Sequence, residues 1–567
     1  MKAYDLSIIN AFIIGPLSPD SDHKPLYIDL AISHPTSKCN RVKRERKCII
    51  RPCYNKANLY ATELENHVTK LSLCDDINTN WEQLKEVMLE VGYHYFKAHV
   101  GGEKILSFPC NSWFDEECKT FLKAFKLANG KKEKDIAWHQ YRRVVRRKKR
   151  QYNQMQERKK ANMFRLKPKL AWGQLKGKKV DVKGDFTNKE MQEYVQKLYM
   201  HDGIAPMVEN IDVPTVTCVN LEDVNKGTKK MASGKVADVT SLTSELFKWT
   251  GPHTRYWIAT LIDQAIKQGF PKDWLMNWIK PIYKAGDKNV VSNYRTIMVS
   301  STIAKLYSTI MEQKISAWAE SHNIRALGQA GFRPKHSTVD HLVTLRVIME
   351  ESRLQGKTLY CCFVDFKKAF DTVPRSELWN RMVEIGMPSE YRVAVARLYE
   401  EIRCQLETEN GFSEYFLSNM VVKQGCSLSP TLFGLCIDKL EELVNRVAKE
   451  EKLDAPKLMH QVILLLLYAD DVVLFSYDIE SMQRLLGVLE TFCESSGLTV
   501  NVEKTKMMVV RTKQPQQYPT LMYKGEPIQC VQSFKYLGID IPATNRWSGC
   551  FESRLQAGWK SYYMLEN

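Results

Sequence analysis

QVILLLLYADDVVLFSY, residues 461–477, sets two apolar runs on either side of a pair of carboxylates. Residues 462–467 and 472–475 have the length of strands rather than helices, and Asp470 and Asp471 fall where the chain must reverse, so a β-hairpin is predicted. Adjacent carboxylates at that point oppose each other's ionisation, both by like-charge repulsion and by partial desolvation. An Asp-Asp pair in a turn is common hairpin chemistry when it stands alone. Here it does not stand alone. Residues 359–364 form another apolar strand, and it runs into Asp365 within CCFVDFKKAFD, residues 361–371. If the two strands are neighbours in one sheet, Asp365 converges on Asp470 and Asp471 and the three offer hard oxygen ligands that suit Mg²⁺. Two such ions about 3.5 to 4 Å apart would activate an attacking hydroxyl and stabilise the leaving oxygen of an in-line phosphoryl displacement. That is nucleotidyl-transfer chemistry.

The surroundings fit an α+β protein. From about residue 230 onward, short apolar strands alternate with amphipathic helical stretches, among them 374–385 and 479–496. Residues 498–502 and 507–510 read as strands, with Lys504 in the turn between them. Upstream, seven of the nine residues from 142 to 150 are basic: Arg142, Arg143, Arg146, Arg147, Lys148, Lys149 and Arg150. They lie in 114–171, a stretch poor in Gly and Pro until Pro168 that reads as one long helix, and residues 173–184 then read as a linker. The run puts cations on every side of that helix rather than beside acids, which favours contact with nucleic acid over an ordinary solvated face.

Composition bounds the rest. The chain has 567 residues, which at about 150 residues per domain is roughly three to four folding units. Lys and Arg number 82 against 65 Asp and Glu, a net charge of +17 that points to a polyanionic partner. With 44% hydrophobic and 26% charged residues, the chain is neither disordered, collagen-like nor a membrane bundle. Its longest aliphatic run, 462–467, is far short of the roughly 18 residues of a membrane span, and no signal peptide is expected at the N-terminus. Fifteen cysteines without a Cys-x-x-Cys pair fit reduced thiols in an intracellular compartment.

Phe363-Val364-Asp365 with Ala369-Phe370-Asp371, then QGCSLSP at 424–430, then Tyr468-Ala469-Asp470-Asp471 resemble reverse-transcriptase motifs A, B and C. GLTVN at 497–501 with KTK at 504–506 resembles motif D, and FKYLG at 534–538 the segment after it. PIYK at 281–284, NYRTI at 293–297 and QAGFR at 329–333 resemble the fingers motifs of non-LTR (LINE-type) retrotransposon enzymes. The resemblance implies a right-hand polymerase fold, with fingers and palm over 226–541, a basic and largely helical connector over 34–225, and the start of a truncated thumb over 542–567. It also implies roles. Asp365 and Asp470 would be the principal ligands of two Mg²⁺ ions, and Asp471 a supporting carboxylate. Phe370 would be the steric gate against a ribose 2′-hydroxyl, Arg295 and Lys284 would face the triphosphate, Gln424 and Gly425 would line the nucleotide and template pocket, and Lys504 would protonate pyrophosphate.

The partners so implied are an RNA template, a DNA primer and dNTPs, with no membrane and a nuclear location. SDHKP, residues 21–25, resembles the last motif of an apurinic-type endonuclease domain, so 1–33 is expected to be its C-terminal remnant, with Asp22 orienting His23. Two departures stand out: GKVAD at 234–238 lacks the Gly-rich continuation of many relatives, and Ser427 stands where proline is frequent. The expected activity is RNA-directed DNA polymerisation. A group II intron-type reverse transcriptase is the runner-up among enzymes, and a truncated element that only binds nucleic acid is the alternative outside them.

Overall fold

A computed structural model describes residues 6–13, 26–32, 48–50, 52–99, 113–166 except 129, 187–199, 218–408 except 236, 285 and 368, 411–418, 425–511, 520–544, 552, 555, 556, 558 and 559. The chain divides into two compact units. In the smaller, Met1–Cys48 with His99–Glu103, the described strands Leu6–Ile13 and Leu26–Ile32 form an antiparallel pair. All that follows concerns the larger, Ile49–Ala98 with Lys104–Asn567.

A six-stranded sheet carries the chemistry. Its order is Leu465–Tyr468, Asp471–Ser476, Leu359–Val364, Lys506–Val510, Glu526–Cys530, Leu521–Tyr523. Alternate residues serve two different cores. Cys362, Val364, Val472, Leu474, Met507 and Val509 pack on one face with Phe433, Leu440 and Leu485 from the helices Ser429–Ile437, Lys439–Glu451 and Ile479–Ser496. Cys361, Phe363, Val473, Phe475, Met508 and Val510 pack on the other with Ile348 of the helix Thr338–Leu354 and Tyr536 of the hairpin 533–542. A sheet covered on both faces needs apolar residues at every position, which is why its strands read as unbroken runs. Each fully buried side chain of this kind contributes about 1.5–3 kcal/mol.

Three expectations are corrected. The first hairpin strand is shorter than 462–467: Met459 turns at φ +54°, and Gln461–Val462 pairs back on Lys457–Leu458 in a separate ribbon. Residues 498–502 are not a strand but meet the sheet at a single bridge, Val500 to Phe366. The long helix is two helices, Glu116–Leu127 and Lys131–Leu166, because the chain turns extended at Ala128 and Gly130 takes φ +95°. Asp115 caps the first of them, its carboxylate accepting from the Cys118 amide at 3.2 Å.

A second sheet carries Arg295, with Lys284 beside it. Met276–Tyr283 runs antiparallel to Tyr294–Ser300 and parallel to Ile402–Thr408. Ile282 lies opposite Arg295, and the Lys284 amide donates to the Asn293 carbonyl, so one hairpin presents both cations.

His341, on the helix Thr338–Leu354, is buried, with its ring 5.8 Å from that of Tyr468 and its Nδ1 3.1 Å from the Tyr536 hydroxyl. Burial pushes its pKa down to about 4. Between the ordinary histidine value and that point, the unfolded chain binds a proton that the folded chain refuses, so stability is complete at neutral pH and falls as pH drops through this window. Denaturant titrations from pH 7.5 to 4.5 should show a loss on the order of 3 kcal/mol attributable to His341, absent in His341→Gln. Parallel pH slopes in the two proteins would refute the assignment.

Candidate active site

The site follows from strand register. Val364 lies opposite Val472, and Tyr468 opposite Asp471. Asp365, one residue beyond Val364, therefore stands across from Asp471, one residue before Val472. Both line one cleft of about 520 Å³, together with Glu503, Lys504, Phe534 and Tyr536. Ala469 and Asp470 make the turn, with Ala469 at φ +59° in the left-handed region that a residue with a Cβ rarely adopts.

Their electrostatics are those of crowded like charges. Burial, then Asp470 and Asp365, push Asp471 up to about 6. Asp470 is likewise raised, by burial and by Asp365, while Arg295 and Lys284 pull it back down. The two fingers cations thus bear on Asp470. Asp471 keeps much of its own surface open, so its desolvation is that of a cleft floor rather than of an enclosed core. The Lys504 ammonium is 3.9 Å from Asp365 Oδ2, with a side chain 64% exposed, so this contact is screened and weak.

The backbone around Asp365 is firmly held. Its amide donates to Thr505 Oγ1 at 3.2 Å, and its carbonyl accepts from the Asn501 amide at 2.7 Å. Thr505 and Asn501 were not singled out as site residues from sequence; the one available signal was a lone threonine between lysines in KTK, and it is buried.

Among the described residues, no three His, Cys, Asp or Glu side chains already form a cage for an ion. Mg²⁺ does not ask for one, since it binds through one or two carboxylates and completes its shell with water and substrate phosphates. Asp470 and Asp471 make no ion pair among the described residues, and burial first, then neighbouring carboxylates, raise both. The donor set fits a cation brought in with a nucleotide.

Phe370 is half-buried, its ring 4.4 Å from that of Phe433 and 6.2 Å from that of Phe332. Gly425 takes φ +112°, and a Cβ there would come within 2.7 Å of the Met298 carbonyl oxygen. The close approach its glycine allows is therefore to the strand Tyr294–Ser300. Gln424, Asp22 and His23 lie outside the described residues.

The basic run departs from expectation in two places. Arg147 pairs with Glu117, and Lys148 lies 2.7 Å from Asp115 and 2.8 Å from Glu117, tying the two helices together. Arg142, Arg143, Arg146, Lys149 and Arg150 are exposed and make no ion pair among the described residues. Most of them border a groove of about 1070 Å³ that also contains Phe121 and His139.

Comparison with known proteins bears on this geometry. Residues 282–541 match the family described as reverse transcriptase (RNA-dependent DNA polymerase). These residues are a reverse transcriptase domain. The domain resembles the Pol polyprotein of the type-2 retrotransposable element R2DM of Drosophila melanogaster, 26% identical over 45% of this chain and 24% of that protein. It also resembles the probable RNA-directed DNA polymerase of transposon BS from the same fly, 24% identical over 57% of this chain and 36% of that protein. A third relative is the RNA-directed DNA polymerase of the mobile element jockey from Drosophila funebris, 20% identical over 57% and 35%. The chain thus matches about a quarter to a third of the length of these relatives, which are non-LTR retrotransposon proteins. Among solved structures, apo telomerase from Candida tropicalis aligns with a TM-score of 0.36 at 12% identity, over 88% of this chain and 78% of that one.

An acid whose folded pKa is raised costs the folded state above that pKa and nothing below its unfolded value. At pH 7.5 without metal, Asp471→Asn should therefore raise the melting temperature of the reverse transcriptase domain, and the gain should vanish near pH 4. A lower melting temperature for the variant in EDTA at pH 7.5 would show that Asp471 is not under electrostatic strain.

Proposed function

We propose that this chain acts as the RNA-directed DNA polymerase of a non-LTR retrotransposon, adding dNTPs to a DNA 3′-hydroxyl along an RNA template. The observation that carries this reading is the register that sets Asp365 against Asp471, with Asp470 in the adjoining turn under the field of Arg295 and Lys284.

In this reading Asp365 and Asp470 are the principal ligands of two Mg²⁺ ions and Asp471 supports them. When bound, the ions would activate the primer hydroxyl and neutralise charge on the leaving pyrophosphate. Arg295 and Lys284 hold the triphosphate from the fingers side, Arg through paired N–H donors. Phe370, backed by Phe433, stands against a ribose 2′-hydroxyl. Gly425 sets the edge of the template and nucleotide pocket, to which we also assign Gln424. Lys504 gives a proton to the departing pyrophosphate.

Around the polymerase segment, 226–541, we assign 1–33 to an endonuclease-type segment, on the SDHKP motif alone, 34–225 to a basic connector and 542–567 to thumb residues. A nuclear site of action follows from the use of chromosomal DNA as primer. No helix among the described residues is long and apolar enough to cross a membrane.

Primer extension on poly(rA) with oligo(dT) and Mg²⁺ tests the reading. The wild type should extend, the double variant Asp470→Asn with Asp471→Asn should lose at least about a hundredfold in rate, and Phe370→Val should admit rNTPs more readily. A folded wild type that retains labelled primer-template yet extends nothing would leave a binding-only relic.

Within the basic region, the unpaired cations are the ones expected to meet phosphates. Replacing Arg142, Arg143, Arg146 and Arg150 by Gln should weaken RNA binding and flatten the plot of log K against log salt by about 0.7 to 0.9 per contact removed. Lys148→Gln, which breaks pairs to Asp115 and Glu117, should instead loosen the helical pair and leave the salt slope unchanged. Equal slopes for the quadruple variant and the wild type would sink the assignment of this face.

A further inference from the structure

Residues 325–333 connect the helix Thr302–Ser321 to the helix Thr338–Leu354 and lie against the carboxylate hairpin. The Leu467 amide donates to the Gly328 carbonyl at 2.7 Å, and the Ala330 amide donates to the Leu467 carbonyl at 2.9 Å, so Gln329 pairs with Leu467 as a parallel bridge. The Gln329 side chain then reaches the turn itself. Its Oε1 accepts from the Ala469 amide at 3.1 Å and from the Gly331 amide at 2.7 Å. Its Nε2 donates to Asp438 Oδ1 at 3.3 Å, and Asp438 Oδ2 accepts from Arg325 Nε at 2.7 Å.

Every part of this relay is buried. Gln329 is 1% exposed, and the side chains of Arg325 and Asp438 are 1% exposed each. The amide can face only one way, because flipping it would set its NH₂ against two backbone N–H groups and its oxygen against a carboxylate. Two glycines leave the necessary room: a Cβ on Gly331 would stand 2.2 Å from the Ala469 nitrogen, and one on Gly434 would stand 2.5 Å from Arg325 Nη2. The terminal nitrogens of Arg325 are buried without a hydrogen-bond partner, so the ion pair is a poor source of stability. What it does supply is a fixed acceptor geometry for Gln329.

We infer that Gln329 is a positioning residue for the catalytic carboxylates. By binding the amide of left-handed Ala469, it fixes the turn from which Asp470 and Asp471 project, with the Arg325–Asp438 pair setting the direction of its amide. Without it the Ala469 amide loses a buried partner and the turn loses the contact that offsets its strained φ. Asp470 and Asp471 would then sample positions unsuited to a shared cation. This inference rests on reading those two residues as metal ligands.

The test uses the full chain as wild type, Gln329→Met, which keeps the shape and removes the polar atoms, and Gln329→Glu, which keeps the acceptor but opposes Asp438. Hydrogen exchange of the segment 467–472, read by mass spectrometry, should accelerate by about tenfold or more in Gln329→Met, with the strand Leu359–Val364 and the helix Thr338–Leu354 unchanged. Mn²⁺ affinity, read by electron paramagnetic resonance, should fall by about fivefold or more, and kcat by about tenfold with the KM for template-primer within about twofold. Exchange and Mn²⁺ affinity both unchanged would overturn the inference, as would acceleration spread evenly over the whole sheet. Should Gln329→Met not fold, Gln329→Glu is read by the same criteria. A wild type that neither binds Mn²⁺ nor extends a primer would overturn the polymerase reading, and with it the catalytic purpose of the relay.

Discussion

The pairing of Val364 with Val472 is the interaction on which the site depends. It places Asp365 beside Asp471 at the end of a sheet whose two faces are both buried. A slip of one residue would exchange the residues of the two faces along the strand, and each face is packed against different helices, so the register cannot relax. The carboxylates are therefore held together by apolar packing that gains nothing from their being together. Burial and neighbouring carboxylates raise both hairpin aspartates, and for Asp470 the opposing influence comes from outside the sheet, from Arg295 and Lys284.

That arrangement makes the surroundings of the carboxylate sheet as important as the sheet itself. Two backbone contacts close enough to forbid a Cβ sit there, Gly425 against Met298 and Gly331 against Ala469. Neither glycine is needed for chemistry of its own. Each removes a side chain where a loop lies close against backbone: Gly425 against the strand Tyr294–Ser300 that carries Arg295, and Gly331 against the turn that carries Asp470. His341, wedged between Tyr468 and Tyr536, holds the other side of the same hairpin with a neutral ring that burial keeps unprotonated.

The palm was legible in the sequence for the same reason that it is rigid. Strands covered on both faces must be apolar throughout, so 359–364 and 472–475 stood out against their polar surroundings, and the acids at their ends stood out with them. Extents were less legible. Apolar character continued through 462–464 although Met459 had already turned the chain, and 498–502 had strand composition although one bridge to Phe366 is all the sheet can accept there. Gln329 and Thr505 could not be read as parts of the site, because a polar residue declares a structural role only through what surrounds it. Nothing local in QAGFR says that Gln329 is buried or that Asp438, 109 residues away, meets its amide.

The basic helix shows the same limit with the opposite sign. Its sequence neighbours offer no acid for Arg147 or Lys148, yet Glu117 pairs with both, and Asp115 with Lys148, across the break at Gly130. The helix Lys131–Leu166 is thereby anchored through two of its cations, while Arg142, Arg146 and Arg150 follow one another at intervals of four residues along an exposed face. Like charges at that spacing repel by about 0.2–0.5 kcal/mol per pair in an isolated helix. The anchoring contacts hold the helix against this repulsion, which dissolved salt screens. The pairing of Arg147 and Lys148 with acids thus separates the cations that hold the two helices together from those that line the exposed face.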